Sequence, residues 1–165
     1  MARLTTEYTP GLKEAFGHTG TLGDLGEELC VTQLERYDVP SMRVCTENYD
    51  ISNVKRLQNQ GIDVWCYNDV TIDVKNNIRN NAFFIETDHQ GWLHNPKHSV
   101  HLLVHVDHKT PTRCYWYERD VGQRHVPITE GNKRALEFVD VNKLPKWINI
   151  GWDTLANHIK TLGVF

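Results

Sequence analysis

Two aspartates and a lysine stand on one pair of alternating segments, Asp63 in Ile62-Asp63-Val64-Trp65-Cys66-Tyr67 and Asp73 with Lys75 in Thr71-Ile72-Asp73-Val74-Lys75. Alternation of apolar and polar residues marks a β-hairpin with one buried face. A two-residue turn at Asn68-Asp69 sets Val64 opposite Asp73 and mixes charge with apolar side chains. A three-residue turn, Asn68-Asp69-Val70, pairs Tyr67 with Thr71, Trp65 with Asp73 and Asp63 with Lys75. This second register puts Ile62, Val64, Cys66, Ile72 and Val74 on the core side and gathers both carboxylates and the amine on the other. Hard divalent cations prefer oxygen ligands, and Mg²⁺ takes one or two carboxylates while keeping water and phosphate oxygens. A lysine beside such a site can orient water or stabilise charge growing on a phosphate. An acid two residues before a lysine arises roughly once by chance in a chain of this composition. The tripeptide therefore carries weight only with the hairpin and a third acid.

A helix supplies that acid. Thr21 and Asp24 resemble a capping box, and Leu22, Leu25, Leu29, Cys30, Val31 and Leu34 form an apolar arc that ends before Asp38 and Pro40. On this helix Glu27 falls at the edge of the arc with Cys30, Val31 and Leu34, while Glu28 projects outward near Asp24 and Glu35. A carboxylate turned toward a sheet needs a partner to offset desolvation, so Glu27 is the better ligand candidate. Gly23 and Gly26 allow close helix approach but form no phosphate loop, because no Gly-Lys-Ser/Thr follows.

Residues 1 to 20 lack periodicity and read as an N-terminal arm, leaving 21 to 165 as a single domain. Met42 to Thr46 predicts a first strand, with a helical turn around Val54 to Leu57. Ala82 to Thr87, Val100 to Val106 and Arg113 to Glu118 predict further strands. Asn132 to Val164 reads as mainly helical with a break near Pro145 and Gly151. The order of elements predicts an α/β or α+β domain with a mixed sheet.

Of the 165 residues, 24% are charged and the net charge is −3, so contact with nucleic acid must be local rather than driven by overall basicity. No apolar run is long enough for a membrane span, and the N-terminal residues lack a secretory pattern, so a cytoplasmic protein is expected. Cys30, Cys45, Cys66 and Cys114 form no Cys-x-x-Cys pair and read as reduced, buried thiols. Seven of the nine histidines lie between His89 and His125. On a strand His101 and His105 stand roughly 13 Å apart, too far for one zinc, so these histidines read as solvated or edge-strand residues. Arg113, Arg119, Arg124, Lys133 and Arg134, with Tyr115, Trp116 and Tyr117 among them, form a candidate DNA-contacting stretch, and Arg79 joins it. Trp147 and Trp152 read as core or dimer anchors.

Gly26-Glu27-Glu28-Leu29 followed by Leu34, then Gly61-Ile62-Asp63, then Thr71-Ile72-Asp73-Val74-Lys75 resembles the PD-(D/E)XK nuclease superfamily, with likeness to small phage Holliday-junction resolvases. Ile62 stands in place of the proline of that motif, and Asp73 in place of the more frequent glutamate. The resemblance implies a restriction-endonuclease-like α/β core with a mixed β-sheet flanked by helices. It implies Glu27, Asp63, Asp73 and Lys75 as catalytic residues, Glu27, Asp63, Asp73 and Val74 as the metal site, and Mg²⁺, replaceable by Mn²⁺, as cofactor. The expected activity is endonucleolytic hydrolysis of DNA, with branched DNA as substrate and a homodimer as the working unit. For a phage-encoded chain the location would be the host cytoplasm. The alternatives are a restriction-like or nicking endonuclease on duplex DNA, and a non-catalytic nucleic-acid-binding module.

Overall fold

The computed structural model describes residues 22–130 and 135–162. The arm expected over residues 1 to 20, Thr21 of the capping box, and Lys133 and Arg134 lie outside the described residues. Helix α1 (Leu22–Arg36) ends near the expected Asp38 and Pro40, and Asp38 takes a left-handed φ of 63° beyond its end. It is followed by β1 (Ser41–Arg43), α2 (Ile51–Asn59), β2 (Val64–Cys66), β3 (Thr71–Lys75), β4 (Ala82–Glu86), β5 (Leu102–Val106) and β6 (Cys114–Glu118). Then come α3 (Arg119–His125), β7 (Leu136–Asp140), β8 (Asn149–Ile150) and α4 (Trp152–Leu162). The fold is α/β. A six-stranded mixed sheet runs β1-β2-β3-β5-β6-β8, and β4 pairs with β7 in a separate ribbon.

Among the described residues only β3 and β5 pair in parallel. A parallel pair cannot be closed by a tight turn, and here the long connection carries β4 and the Trp92 segment over one face of the sheet. Two cores result. On one face α1 and α4 bury Cys30, Leu34, Leu155 and Ile159 against Val64, Ile72, Leu102 and Val104. On the other, the ribbon buries Phe83, Ile85 and Val139 against Leu103 and Tyr117. Fully buried positions such as Leu34, Ile72 and Leu102 each contribute about 2 kcal/mol through loss of apolar surface.

The hairpin keeps the expected faces along β3 but not the expected register. Val64 pairs with Ile72 and Trp65 with Thr71, so the loop is Tyr67-Asn68-Asp69, closed by Cys66 N–H donating to Val70 O at 2.8 Å. Loops of three residues place their last residue in the left-handed region. Asp69, with φ 67°, tolerates it, whereas the β-branched Val70 of the expected turn does not.

The tail departs further. Residues 136–140 are a strand, because they pair one for one with Ala82–Glu86, and a distant partner overrides local helical preference. Among the described residues of that tail, Trp152–Leu162 is an α-helix as expected, after Gly151 at φ 101°, and Val141–Lys143 forms a single 3-10 turn. Trp152 is buried in the helix-side core as expected, and Trp147 packs at the edge of the ribbon-side core against His125 and Tyr117. Helix α3 is only seven residues long, too short for an apolar periodicity to mark it in the sequence. No helix among the described residues is long and apolar enough to cross a membrane. All four cysteines are buried free thiols.

Candidate active site

The alternation along the first hairpin strand breaks at Asp63. Ile62 packs in the ribbon-side core and Val64 in the helix-side core, although strict alternation would keep residues two apart on one face. This is the behaviour of a β-bulge, a device that re-aims one side chain. Asp63 N–H donates to Ile72 O, and Asp63 Oδ2 accepts from Val74 N–H, both at 2.9 Å. The carboxylate thus takes the place of a ladder carbonyl and is fixed against β3 beside Asp73. Asp73 is 2% exposed because the crossover covers it, and its Oδ1 lies 3.0 Å from Lys75 Nζ. That amine also sits 4.4 Å from the Trp92 ring centroid, a cation–π distance.

Glu27 arrives from the helix side. Gly26 permits this: a Cβ there would lie 2.8 Å from Asn76 Cβ, so only glycine lets α1 ride this close to the end of β3. Asn76 completes the anchor, donating to Leu22 O at 2.8 Å and accepting from His108 N–H at 3.2 Å. Glu27, Asp63, Val74, Lys75, Asn76, Asn77, Phe84 and Trp92 line one pocket of about 310 Å³.

Sequence reasoning missed the residue that holds Glu27. Arg43, 7% exposed at the end of β1, places Nη2 2.7 Å from Asp24 Oδ1 and 3.1 Å from Glu27 Oε1, with Nη1 3.5 Å from Glu28 Oε1. Glu28 and Asp24 therefore turn toward Arg43 rather than outward. An arginine in a three-residue strand gives no signal of this, because its acids lie on a helix distant in sequence. Among the described residues no three His, Cys, Asp or Glu side chains stand ready as a ligand set, since Arg43 draws Glu27 aside and Lys75 holds Asp73.

Charge in the pocket is frustrated. Burial pushes Glu27 up from 4.5 to about 7 despite Arg43, with Asp24 and Asp73 adding to the rise. Burial, then Glu27 and Asp73, push Asp63 well above the ordinary aspartate range. Burial opposes charge on Lys75, but Asp73 first and then Asp63 outweigh it and hold the amine above its usual value. Two closely spaced acids with raised proton affinity, Glu27 and Asp63, beside the carboxylate of Asp73 want one more cation than Arg43 and Lys75 provide.

A stability test follows from the sign of the Glu27 shift. Folded protein holds this proton more tightly than unfolded protein, so the contribution is fully present below 4.5 and is lost as pH rises through about 7. At about 1.4 kcal/mol per unit the loss amounts to about 3 kcal/mol. His105 runs the other way, since burial lowers it to about 3, but it is common to wild type and variant. Glu27→Gln should therefore gain about 3 kcal/mol on wild type between pH 4.5 and 8 in EDTA, read by chemical denaturation. A pH-independent difference would remove the buried acid from the account.

The histidines are not solvated as a group. His105 is fully buried on the central strand β5, with Nδ1 2.8 Å from Asn77 Oδ1 and Nε2 2.9 Å from Tyr117 Oη. It stacks on Phe83 at 4.2 Å. His101 Nδ1 accepts from Thr71 N–H at 3.0 Å, and His94 Nε2 lies 2.7 Å from Val126 O.

The expected DNA contacts divide. Arg119 is buried and donates to the carbonyls of Trp92, His98 and Asn95 at 3.3, 2.9 and 2.8 Å, which makes it a structural clamp rather than a phosphate contact. Arg113 is half-buried, donating to Asn80 O at 2.6 Å over the Tyr115 ring. Arg79 and Arg124 are exposed. Trp116 and Tyr117 are buried and cannot stack on bases.

No family model, curated protein or solved structure matches this chain.

Proposed function

We propose that this protein is a Mg²⁺-dependent DNA endonuclease with a restriction-endonuclease-like core, acting on branched DNA. The observation that carries the reading is the charge-frustrated pocket: Asp63 and Asp73 crowded together, Glu27 entering from α1, and Lys75 bound to Asp73. All the donors are oxygens, which fits a hard divalent cation. Glu27, Asp63 and Val74 line the pocket with Asp73 buried beside Asp63, and these carboxylates with the Val74 backbone would hold the ion once Glu27 and Asp73 turn from Arg43 and Lys75. A bound cation would activate water and stabilise charge on the phosphate and the leaving oxygen. Glu27 must then leave Arg43, which keeps Asp24 and Glu28 as partners.

Hydrolysis adds hydroxide to phosphorus and breaks the bond to the 3′-oxygen, which takes up a proton, leaving 5′-phosphate and 3′-hydroxyl ends. Lys75 acts in this as a fixed positive charge, because its neighbours keep it protonated and unsuited to accept the proton of water. Lys75→Ala should lower turnover about 100-fold while changing DNA affinity only a few-fold. Equal losses in both would reassign Lys75 to phosphate binding. The governing experiment is cleavage of cruciform plasmid, four-way junction, flap and linear duplex with Mg²⁺ and with EDTA. Mg²⁺-dependent cutting of the branched forms is expected, by a dimer if both strands are cut. Preference for linear duplex would make it a restriction-like or nicking enzyme, and binding without cutting a non-catalytic module.

A further inference from the structure

An aromatic row leads out of the pocket. Trp92 lies beneath Lys75 Nζ, and its ring centroid is 5.8 Å from that of Phe84. Phe84 is paired across the β4–β7 ribbon with Phe138, centroid to centroid 6.2 Å. Exposure rises along the row, from 7% at Trp92 to 72% at Phe138. A lone exposed phenylalanine needs no explanation, but this one ends a continuous row whose inner members line the pocket of Asp63 and Lys75.

We propose that the exposed ring of Phe138, backed by Phe84 and by buried Trp92, is a stacking platform for an unpaired nucleobase next to the phosphate held at Asp63, Asp73 and Lys75, a proposal that rests on the nuclease reading. Every base offers a π face, so aromatic stacking is strong and tolerant of sequence. Exposed Glu137 and Asp140 flank Phe138 on the same strand, which disfavours a second phosphate there and leaves the uncharged base as the part of a nucleotide that fits. Paired bases within a duplex present no free face. The platform therefore selects a splayed fork, a flap or an open junction centre, and sets the cut beside the unpaired nucleotide.

The test uses the full chain with Ca²⁺ in place of Mg²⁺, a splayed fork bearing a fluorescent adenine analogue at the first unpaired position, and a fully paired duplex of equal length. Wild type should quench the analogue. Phe138→Ala should lose the quenching and bind the fork about tenfold more weakly, the effect of one stacked base, with duplex affinity unchanged. Phe138→Trp should restore both signals. Unchanged fork binding by Phe138→Ala, or equal weakening on fork and duplex, overturns the platform. So does conversion of a wild-type dimer to monomer by Phe138→Ala in sedimentation, which assigns the ring to self-association. Cutting with Mg²⁺ by wild type without any Phe138 effect sinks the platform alone. Phe138-dependent quenching in a chain that never cuts sinks the nuclease reading and keeps the platform.

Discussion

Asp73→Asn should remove Mg²⁺-dependent cleavage, by about 10²- to 10³-fold or more, the range seen when one group that fixes transition-state charge is lost. The substitution is nearly isosteric: it gives up the ion pair with Lys75, which still faces Asp63, but in EDTA it relieves repulsion at a buried pair, because Asp73 is one cause of the raised Asp63 value. Folding should therefore survive. The metal response should not: Mg²⁺ should raise the melting temperature of wild type, by preferential binding to the folded state, and leave that of Asp73→Asn unmoved. Full cleavage by this variant, or the same Mg²⁺ response as wild type, would withdraw Asp73 from the metal site. The thermal measurement needs no knowledge of the DNA substrate.

The second large effect belongs to Arg43. Its guanidinium is the counter-charge for Asp24 and Glu27, whose side chains are 12% and 16% exposed. Removing one partner of a buried ion cluster leaves charge uncompensated and costs about 3 to 5 kcal/mol. Arg43→Met, which keeps most of the apolar stem, should lose that much stability at pH 8. The loss should be smaller at pH 5, where Glu27, raised to about 7, takes up a proton instead. Mg²⁺ should recover part of the loss by giving Glu27 another cation. Chemical denaturation at the two pH values, with and without Mg²⁺, reads all three effects. An Arg43→Met protein as stable as wild type at pH 8 would show that the cluster is solvated rather than buried.

These expectations show where pattern reading succeeds and where it stops. The helix carrying Glu27 and the strand Thr71-Ile72-Asp73-Val74-Lys75 are legible because local periodicity encodes them, and the faces of β3 follow from alternation. The register was not legible, because a shift of two residues preserves every face. Turn chemistry decided it, through the ability of Asp69 and the inability of Val70 to take a left-handed backbone. The break at Asp63 is likewise silent in sequence. It appears only when Ile62 and Val64 find different cores.

Arg119 and Trp116 show the opposite failure. Cations interleaved with aromatics read as a nucleic-acid surface, yet three carbonyls of a folded-over loop bind Arg119. The exposed ring, Phe138, lies instead on β7, a stretch whose local pattern pointed to helix. By itself the sequence determined a domain of mixed helix and strand, the acid-bearing helix and the Asp73-Val74-Lys75 strand, since each element depends on neighbours within a turn or two of chain. Only tertiary structure decided the burial of Asp73, the Arg43 clamp, the neutral His105 and the aromatic row. Each of these requires distant segments to meet, and the free energies that govern them, desolvation and charge pairing, have no value until they do.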